Sequence, residues 1–377
     1  MIYFDNAATT QVCPEAAQKA FEMMTQGYGN PSSGHSPGRA AREALRSARE
    51  RVASALGAAE PSEIFFTSCG TESDNWALLA GAEKMRRYGR HIISSQVEHD
   101  AVLKTLDKLE HDGWEVTRLA PEPDGSISIS KLSSALRPDT ALVSLMMVNS
   151  ETGAITDIAG AAKAIKAAKC PALLHTDAVQ GYMKIPFLAK NLGADMISIS
   201  GHKIHAPKGI GALYVRSGLN LAPMILGGGQ EDGKRSGTEP MPQICAFAEA
   251  SDQAVKAMSA AVESMERIKR HIIERVTAEI PECIIIGGGA SHILCISLPG
   301  YRGEVLLNAL DSRGICVSRG SACKRGRRSH VLTAMGLPAR VIDGAIRLSF
   351  SRYNTMQEAD AFCDELFLAK GSLFPAL

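Results

Sequence analysis

The chain has 377 residues, enough for two or three domains of about 150 residues each and for a large hydrophobic core. Apolar residues make up 45% of it and charged residues 21%, and 41 basic against 40 acidic side chains give a net charge of +1. Charge this evenly balanced provides no overall field that would recruit nucleic acid or an anionic membrane.

The nine cysteines contain no C-x-x-C pair, which argues against a zinc site, a dithiol redox centre and a disulfide framework. We therefore expect reduced thiols, no bound metal and a cytoplasmic protein. The first residues lack the pattern of a secretory signal. The longest uncharged window, residues 283–301, is interrupted by glycines and Pro299, so it predicts two short strands around a turn and no membrane span.

The first two thirds of the chain alternate short apolar runs with helix-forming stretches. The runs predict strands buried on both faces at 64–67, 91–95, 140–148, 172–176 and 196–200. Between them, helices are predicted at 74–88, 101–112 and 158–169. This alternation predicts an α/β fold with a mainly parallel sheet covered by helices, and ligands bind beyond the carboxyl ends of such strands.

The pattern changes after a long predicted helix that follows Pro242 and ends near Glu279. We expect a smaller α+β domain there, with the boundary inside the long helix near residue 255. The large domain is then residues 16–254, and the small domain is residues 1–15 together with 255–377. The elements predicted in the second part are strands at 284–286, 293–298 and 314–318 and helices at 304–313 and 356–370.

Three features of the first part point to one cofactor. Gly70 and Thr71 stand between a predicted strand and a predicted helix, where backbone amides and a hydroxyl suit a phosphate. A plain helix cap is the other interpretation of that string. Asp177 and Lys203 end consecutive buried strands. Pyridoxal phosphate needs a lysine to bond to its aldehyde, an acid to keep its pyridine nitrogen protonated and a phosphate cup, so these residues predict a pyridoxal-phosphate enzyme.

Motifs spread over nearly the whole chain carry a family resemblance. The chain resembles the cysteine desulfurases, the NifS-like branch of the class V aminotransferase-like, fold-type I pyridoxal-phosphate transferases. That family's fold has a large cofactor-binding domain and a small domain that carries a catalytic cysteine loop. The matching strings are residues 3–10, 29–35, 71–73, 98–99, 175–180, 200–203, 207–209, 227–231, 235–238, 320–323 and 346–349.

The resemblance implies a role for each matching residue. Lys203 holds the cofactor covalently and moves protons at the α-carbon of the substrate, L-cysteine. Asp177 pairs with the pyridine nitrogen, and His99 is a catalytic residue that stacks on the ring and assists proton transfer. The remaining implied contacts are Gln180 and Ser150 at the phenolic oxygen, Gly70, Thr71, Ser200 and His202 at the phosphate, Thr238 at the phosphate of a partner subunit's cofactor in a homodimer, and Arg347 with Asn30 at the substrate carboxylate.

The resemblance also implies that Cys323 is the nucleophile. It takes the substrate's sulfur as a persulfide, releases alanine and passes the sulfur to an acceptor protein for iron–sulfur cluster or thio-cofactor synthesis. Four of the five residues that follow it, 324–328, are basic, and cationic neighbours favour a thiolate. Cys316, in an apolar predicted strand, is expected to be structural.

Two departures from the family pattern lead to hypotheses. Ser150 stands where the family commonly has Asn, so we expect a weaker contact to the phenolic oxygen and an altered cofactor titration. Only five residues separate Cys323 from Ser329, which is shorter than in family members that serve iron–sulfur scaffolds. The short basic segment predicts an acidic acceptor or a different docking mode.

Other functions remain open from the sequence. A selenocysteine lyase, a class V aminotransferase or another β-elimination would use the same fold, and Cys323 distinguishes a desulfurase from a transaminase. A scaffold without turnover is a different class, against which the presence of Lys203, Asp177, His99 and Cys323 argues. The glycine runs lack the G-x-G-x-x-G spacing of a dehydrogenase.

Overall fold

The computed structural model describes residues 1–319 and 328–373. Over this part of the chain, strands and helices alternate as far as a very long helix, α8. The strands are β1 (Ile2–Tyr3), β2 (Ile64–Thr67), β3 (His91–Ser95), β4 (Glu115–Leu119), β5 (Thr140–Ser144), β6 (Leu173–Asp177), β7 (Met196–Ser200), β8 (Gly211–Val215), β9 (Ile284–Ile286), β10 (Ile293–Ser297), β11 (Ile315–Cys316) and β12 (Ala345–Ser349). The helices are α1 (Pro14–Thr25), α2 (Ser36–Leu56), α3 (Gly70–Met85), α4 (Asp100–His111), α5 (Ile129–Ala135), α6 (Ile158–Ala167), α7 (Ala189–Leu192), α8 (Met241–Glu279), α9 (Gly303–Asp311), α10 (His330–Ala334), α11 (Ala339–Asp343) and α12 (Met356–Ser372).

A seven-stranded sheet in the order β2-β8-β7-β6-β5-β3-β4 forms the centre of the fold. The strands from β7 to β4 are parallel, and β8 is antiparallel to both β7 and β2. Two antiparallel pairings restore the direction, so β2 runs the same way as β7. The carboxyl ends of β2, β3, β5, β6 and β7 therefore lie at one edge of the sheet, where ligands bind in such folds.

Gly211 brings two of these strand ends together. It pairs with Thr67 of β2 on one side and with Ser200 of β7 on the other. A Cβ atom at Gly211 would lie 2.7 Å from the Ile199 carbonyl oxygen and 2.9 Å from the Cys69 carbonyl carbon. The missing side chain thus lets the β2–α3 turn approach the end of β7.

Helix α8 takes part in two hydrophobic clusters. Its first half, from Met241 to Ala250, packs into the cluster on one face of the central sheet, and α3 and α4 contribute to the cluster on the other face. In its second half, Met265 and Ile272 pack with β10, β12 and α12. The change occurs between Ala250 and Met265. This supports the domain boundary near residue 255, which stays a proposal.

Most of the predicted elements are confirmed, and the fold class is confirmed. All five strands predicted in the first part are present, but β5 ends at Ser144, after which the backbone N–H groups of Leu145 and Met147 still donate to carbonyl oxygens of β6. Strands β1, β4, β8 and β12 were not predicted, and the predicted strand 314–318 forms only as the two residues of β11.

The window at 283–301 forms β9 and β10, an antiparallel pair, as predicted. Among the described helices, none has the length and apolar content needed to cross a membrane. Within residues 1–319 and 328–373, no cluster of three or more His, Cys, Asp or Glu side chains is arranged for a metal ion.

Candidate active site

A cavity of about 280 Å³ opens at the carboxyl edge of the central sheet. It brings together residues that lie far apart in the sequence, because the strand ends that carry them meet there. Ten of the predicted site residues line it: Gly70, Thr71, His99, Ser150, Asp177, Gln180, Ser200, His202, Lys203 and Arg347.

Lys203 follows β7 in a short helical turn. Its Nζ donates hydrogen bonds of 2.7 Å to the carbonyl oxygens of Ala7 and Ala8, which come from the N-terminal segment. The amine is thereby held at the wall of the cavity, where an aldehyde-bearing ligand could reach it.

Asp177 is the last residue of β6 and only 7% exposed. Its Oδ1 accepts a hydrogen bond of 2.9 Å from the backbone N–H of Val179, which fixes the carboxylate at the cavity. Burial raises the pKa of Asp177, while His99 and Lys203 oppose that rise. A cationic ring nitrogen beside the carboxylate would likewise favour its ionised form.

His99 caps the N-terminus of α4. Its Nδ1 accepts a hydrogen bond of 3.1 Å from the backbone N–H of Ala101, so in the neutral ring the proton is on Nε2. The cap holds the ring in one orientation against the cavity, as stacking on a flat cofactor requires.

The predicted phosphate contacts lie together at the start of α3 and the end of β7. The Oγ of Ser200 is buried and has no hydrogen-bond partner among the described residues. A Cβ at Gly70 would lie 2.7 Å from Val179 Cγ2, so the close approach at the helix N-terminus depends on glycine. A buried hydroxyl without a partner is costly, and a phosphate oxygen at this helix end would satisfy it.

His202 lies beside this group. Its Nδ1 is 3.2 Å from the hydroxyl of Thr9. Burial, followed by the positive charge of Lys203, lowers the pKa of His202 to about 4. The ring is therefore neutral near pH 7 and can act towards an anion as a hydrogen-bond donor.

Arg347 enters the cavity from β12 and is 3% exposed. Its Nη2 donates to Asp5 Oδ1 and its Nη1 to the Ser150 carbonyl oxygen, both at 2.8 Å. Its Nε is buried with no partner in the described part of the chain. Sequence reasoning missed Asp5, although it stands in the quoted string 3–10.

Two further buried acids were also missed. Asp74 lines the cavity and is 1% exposed, and its Oδ1 lies 3.6 Å from Nε2 of His175. Burial, followed by the negative charge of Asp177, raises the pKa of Asp74 well above the ordinary range. Burial raises the pKa of Glu98, adjacent to His99, to about 8. Both acids lie within or beside the quoted motifs, but nothing in the sequence distinguishes a buried carboxyl from an exposed one.

Asn30 and Thr238 do not line this cavity. They line a separate pocket of about 360 Å³ between the end of α1 and the start of α8. Within one chain, Asn30 is therefore not brought to the guanidinium of Arg347, and Thr238 is not brought to Ser200.

Cys323 lies outside the described residues, as do Lys324, Arg325 and Arg327. The residues on either side are attached to the cavity wall. Ser318 pairs through its backbone with Arg347, and the Nε2 of His330 lies 3.0 Å from the carbonyl oxygen of Glu98. Arg328, the last of the predicted basic group, forms a two-pronged ion pair with Asp343 at 2.7 Å, so its charge has an acidic partner within the chain.

Comparison with known proteins agrees with this geometry. A family model described as aminotransferase class-V matches residues 2–362. A cysteine desulfurase of Trichormus azollae is 44% identical over 369 residues, which cover 96% of this chain and 90% of the relative.

Two solved structures are similar over most of the chain. A NifS-like protein has a TM-score of 0.93 at 38% identity and covers 99% of this chain and 100% of its own. A structure described as SspA in complex with cysteine has a TM-score of 0.83 at 33% identity and covers 94% of this chain and 100% of its own.

Proposed function

The chain belongs to the class-V aminotransferase family, and we propose that within it the protein is a pyridoxal-phosphate-dependent cysteine desulfurase. The reaction converts L-cysteine to L-alanine, and the sulfur moves to an enzyme cysteine. The observation that carries the proposal is the meeting of Lys203, Asp177 and the unpartnered Ser200 hydroxyl in one cavity. The selectivity for cysteine rests on the relatives and on the string around Cys323.

The residues at the cavity fit pyridoxal phosphate. When bound, this cofactor supplies an electron sink for the substrate's α-carbon. Lys203 would hold its aldehyde, Asp177 its ring nitrogen, and Ser200 with the amides at Gly70 and Thr71 its phosphate. The Lys203 Nζ would also carry a proton to or from the α-carbon of the substrate.

Arg347 would orient the substrate by binding its carboxylate. Its guanidinium already binds Asp5 and Ser150, which fixes its plane, and the buried Nε can donate to the carboxylate of the substrate. Charge-assisted bonds from arginine to carboxylate are among the stronger contacts available to a protein.

Sulfur transfer falls to Cys323. Its thiolate forms a bond to the substrate's sulfur as the bond from that sulfur to the β-carbon breaks. The electrons of the broken bond pass to the substrate, which takes up protons and leaves as alanine. The enzyme cysteine is left as a persulfide for an acceptor protein, for which iron–sulfur cluster or thio-cofactor synthesis is the proposed destination.

We further propose a homodimer in which each chain lends residues to the other's cavity. The separation of Asn30 and Thr238 from their own chain's cavity supports this arrangement, because a partner could bring them to its neighbour.

For location we propose the cytoplasm, since the eight described cysteines are all free thiols and the chemistry needs a reducing compartment.

The test is the formation of alanine from L-cysteine by the purified holoenzyme. We expect the wild type to release alanine with repeated turnover when a thiol reductant regenerates the cysteine. Cys323→Ala should lose at least about 99% of this activity, a loss typical of removing a nucleophile.

Cys316→Ala is the matched control and should retain the wild-type rate, since burial, followed by the negative charge of Asp311, raises the pKa of that thiol and disfavours the thiolate. Equal alanine formation by Cys323→Ala and the wild type would exclude the desulfurase and leave an aminotransferase as the better description.

A further inference from the structure

A second buried lysine lies next to the cavity. Lys184, 8% exposed, is in the turn that follows Gln180. Its Nζ donates to Gln180 Oε1 at 3.3 Å. Buried lysines are rare without a defined partner, and this one contacts a side chain of the cavity.

The contacts of Gln180 define the direction of its amide. Its Nε2 donates at 2.9 Å to the carbonyl oxygen of Ala7, which also accepts from Lys203 Nζ at 2.7 Å. A carbonyl only accepts, so the nitrogen must face Ala7, and the oxygen then faces Lys184. The amide nitrogen carries two hydrogens, and the second is available to an acceptor in the cavity.

The surroundings of Lys184 are basic. Burial, followed by the charges of Lys203 and Arg347, lowers its pKa to about 7. In turn, its own charge lowers the pKa of neighbouring histidines on three other segments. The titratable and charged groups around it are Lys203 and His202 after β7, His205 in the next turn, His292 before β10 and Arg347 on β12.

Resting on the proposed function, we propose that Lys184 is a positioning residue for the cofactor: by binding Gln180 Oε1 it directs the Gln180 amide nitrogen into the cavity. There the N–H would donate to the phenolic oxygen of the bound cofactor. Ser150 is a shorter donor than the asparagine that the family commonly has at this position. The hydrogen bond to the phenolic oxygen would therefore depend more on Gln180. Lys184 thus acts through Gln180 and touches neither substrate nor cofactor.

The proposal predicts a shift in the cofactor's visible absorbance titration. An N–H donor held towards the phenolic oxygen stabilises the deprotonated form of the bound chromophore. Lys184→Met removes the donor that holds Oε1. The midpoint of the absorbance titration should then rise by roughly half a unit to one unit.

Lys269→Met is the matched control. Lys269 is also buried, at 7% exposure, and its Nζ makes one 2.7 Å hydrogen bond to the carbonyl oxygen of Ala290, away from the cavity. Its loss should lower stability but leave the midpoint of the titration within about 0.2 units of the wild type.

Combined variants test whether the effect passes through Gln180. Gln180→Met should raise the midpoint as well, and adding Lys184→Met to it should raise the midpoint no further. If Lys184→Met does not fold, Lys184→Gln replaces it, because its amide is one bond too short to reach Oε1. An unshifted midpoint, or fully additive shifts, would overturn the role of Lys184.

Failure of the inference is distinct from failure of the proposed function. A wild-type protein that takes up no cofactor and shows no visible band would refute the cofactor assignment. A wild type that titrates normally, beside a Lys184 variant that titrates identically, would refute only the inference.

Discussion

At the residue scale, burial moves the pKa values of several ionisable side chains around the cavity away from their ordinary values. Glu98 shows this most clearly. Its Oε1 accepts hydrogen bonds from Ser95 Oγ at 2.6 Å and from the backbone N–H of Met146 at 3.1 Å. Its Oε2 is buried with no partner in the described chain, and there the carboxylic proton can sit. The acid therefore behaves as a neutral structural group next to His99.

The raised pKa of Glu98 predicts a pH-dependent stability. The ordinary pKa of this carboxyl is 4.5, and its pKa in the folded protein is about 8. Between these two pH values the folded state holds a proton that the unfolded state releases. The contribution of protonated Glu98 to the free energy of unfolding is fully present below pH 4.5 and is lost as the pH rises through 8. Glu98→Gln cannot titrate. Between those limits the wild type should lose about 1 kcal/mol or more of unfolding free energy relative to the variant.

Urea denaturation of both proteins at a series of pH values from about 5 to 8 measures this difference. All other titrating groups are common to the two proteins and cancel in the comparison. Parallel pH profiles would show that Glu98 is ionised in the fold.

At the element scale, the position of the cavity depends on β8, a strand that returns between β2 and β7. It carries no side chain to the cavity, yet without it the β2–α3 turn and the end of β7 would not be neighbours. Gly211 is the point of closest approach, with both strand partners and the backbone at Cys69 packed against it.

Gly211→Ala should therefore disturb both the sheet and the phosphate contacts. The added Cβ would overlap backbone atoms that cannot rotate away, so we expect a loss of about 1–3 kcal/mol in stability. We also expect weaker cofactor binding, since Gly70 and Ser200 would be pushed apart. Denaturant midpoints and cofactor titration of the apoprotein measure the two effects.

Gly34→Ala is the control, because nothing lies within 4 Å of a Cβ at that position and its backbone needs no left-handed conformation. A Gly211→Ala protein as stable as the control, with the same cofactor affinity, would show that β7 and β8 can separate without consequence.

Some strands of the fold could be predicted from the sequence and others could not. The buried parallel strands were recognisable because they are short apolar runs such as Thr140–Ser144 and Met196–Ser200. Strand β4 was missed because it lies at the sheet edge and carries Glu115 and Arg118, and β12 because Arg347 interrupts its apolar run.

For the site, residue type at a strand end was informative: Asp177 and Lys203 were predicted from it, and both line the cavity. Lys184, Asp74 and Asp5 were not, because their importance comes from burial and from partners distant in the sequence. Those partners become neighbours only when the sheet is assembled, so no local pattern reports them.

At the scale of the whole molecule, one chain supplies most but not all of the predicted site. Asn30 and Thr238 lie in their own pocket, apart from the cavity. In the proposed homodimer, the Thr238 of each chain serves the cavity of the other. In this arrangement, each cavity is complete only when the two chains are paired.

Subunit mixing tests this arrangement. Lys203→Ala and Thr238→Ala homodimers should each have strongly reduced activity. In a mixed dimer one cavity receives an intact Lys203 from one chain and an intact Thr238 from the other, so unfolding and refolding the mixture should recover activity. If Thr238 serves its own chain, no cavity of the mixed dimer is intact, and the mixture will be no more active than the average of its parents.

The location of the sulfur after a single turnover decides whether Cys323 is the nucleophile of a desulfurase. Holoenzyme mixed with an equal amount of L-cysteine, alkylated and digested, is analysed by mass spectrometry for peptides that have gained one sulfur atom. We expect the added sulfur on Cys323, in an amount matching the alanine formed. Alanine without a persulfide at Cys323, or a persulfide on another cysteine at the same yield, would contradict this expectation.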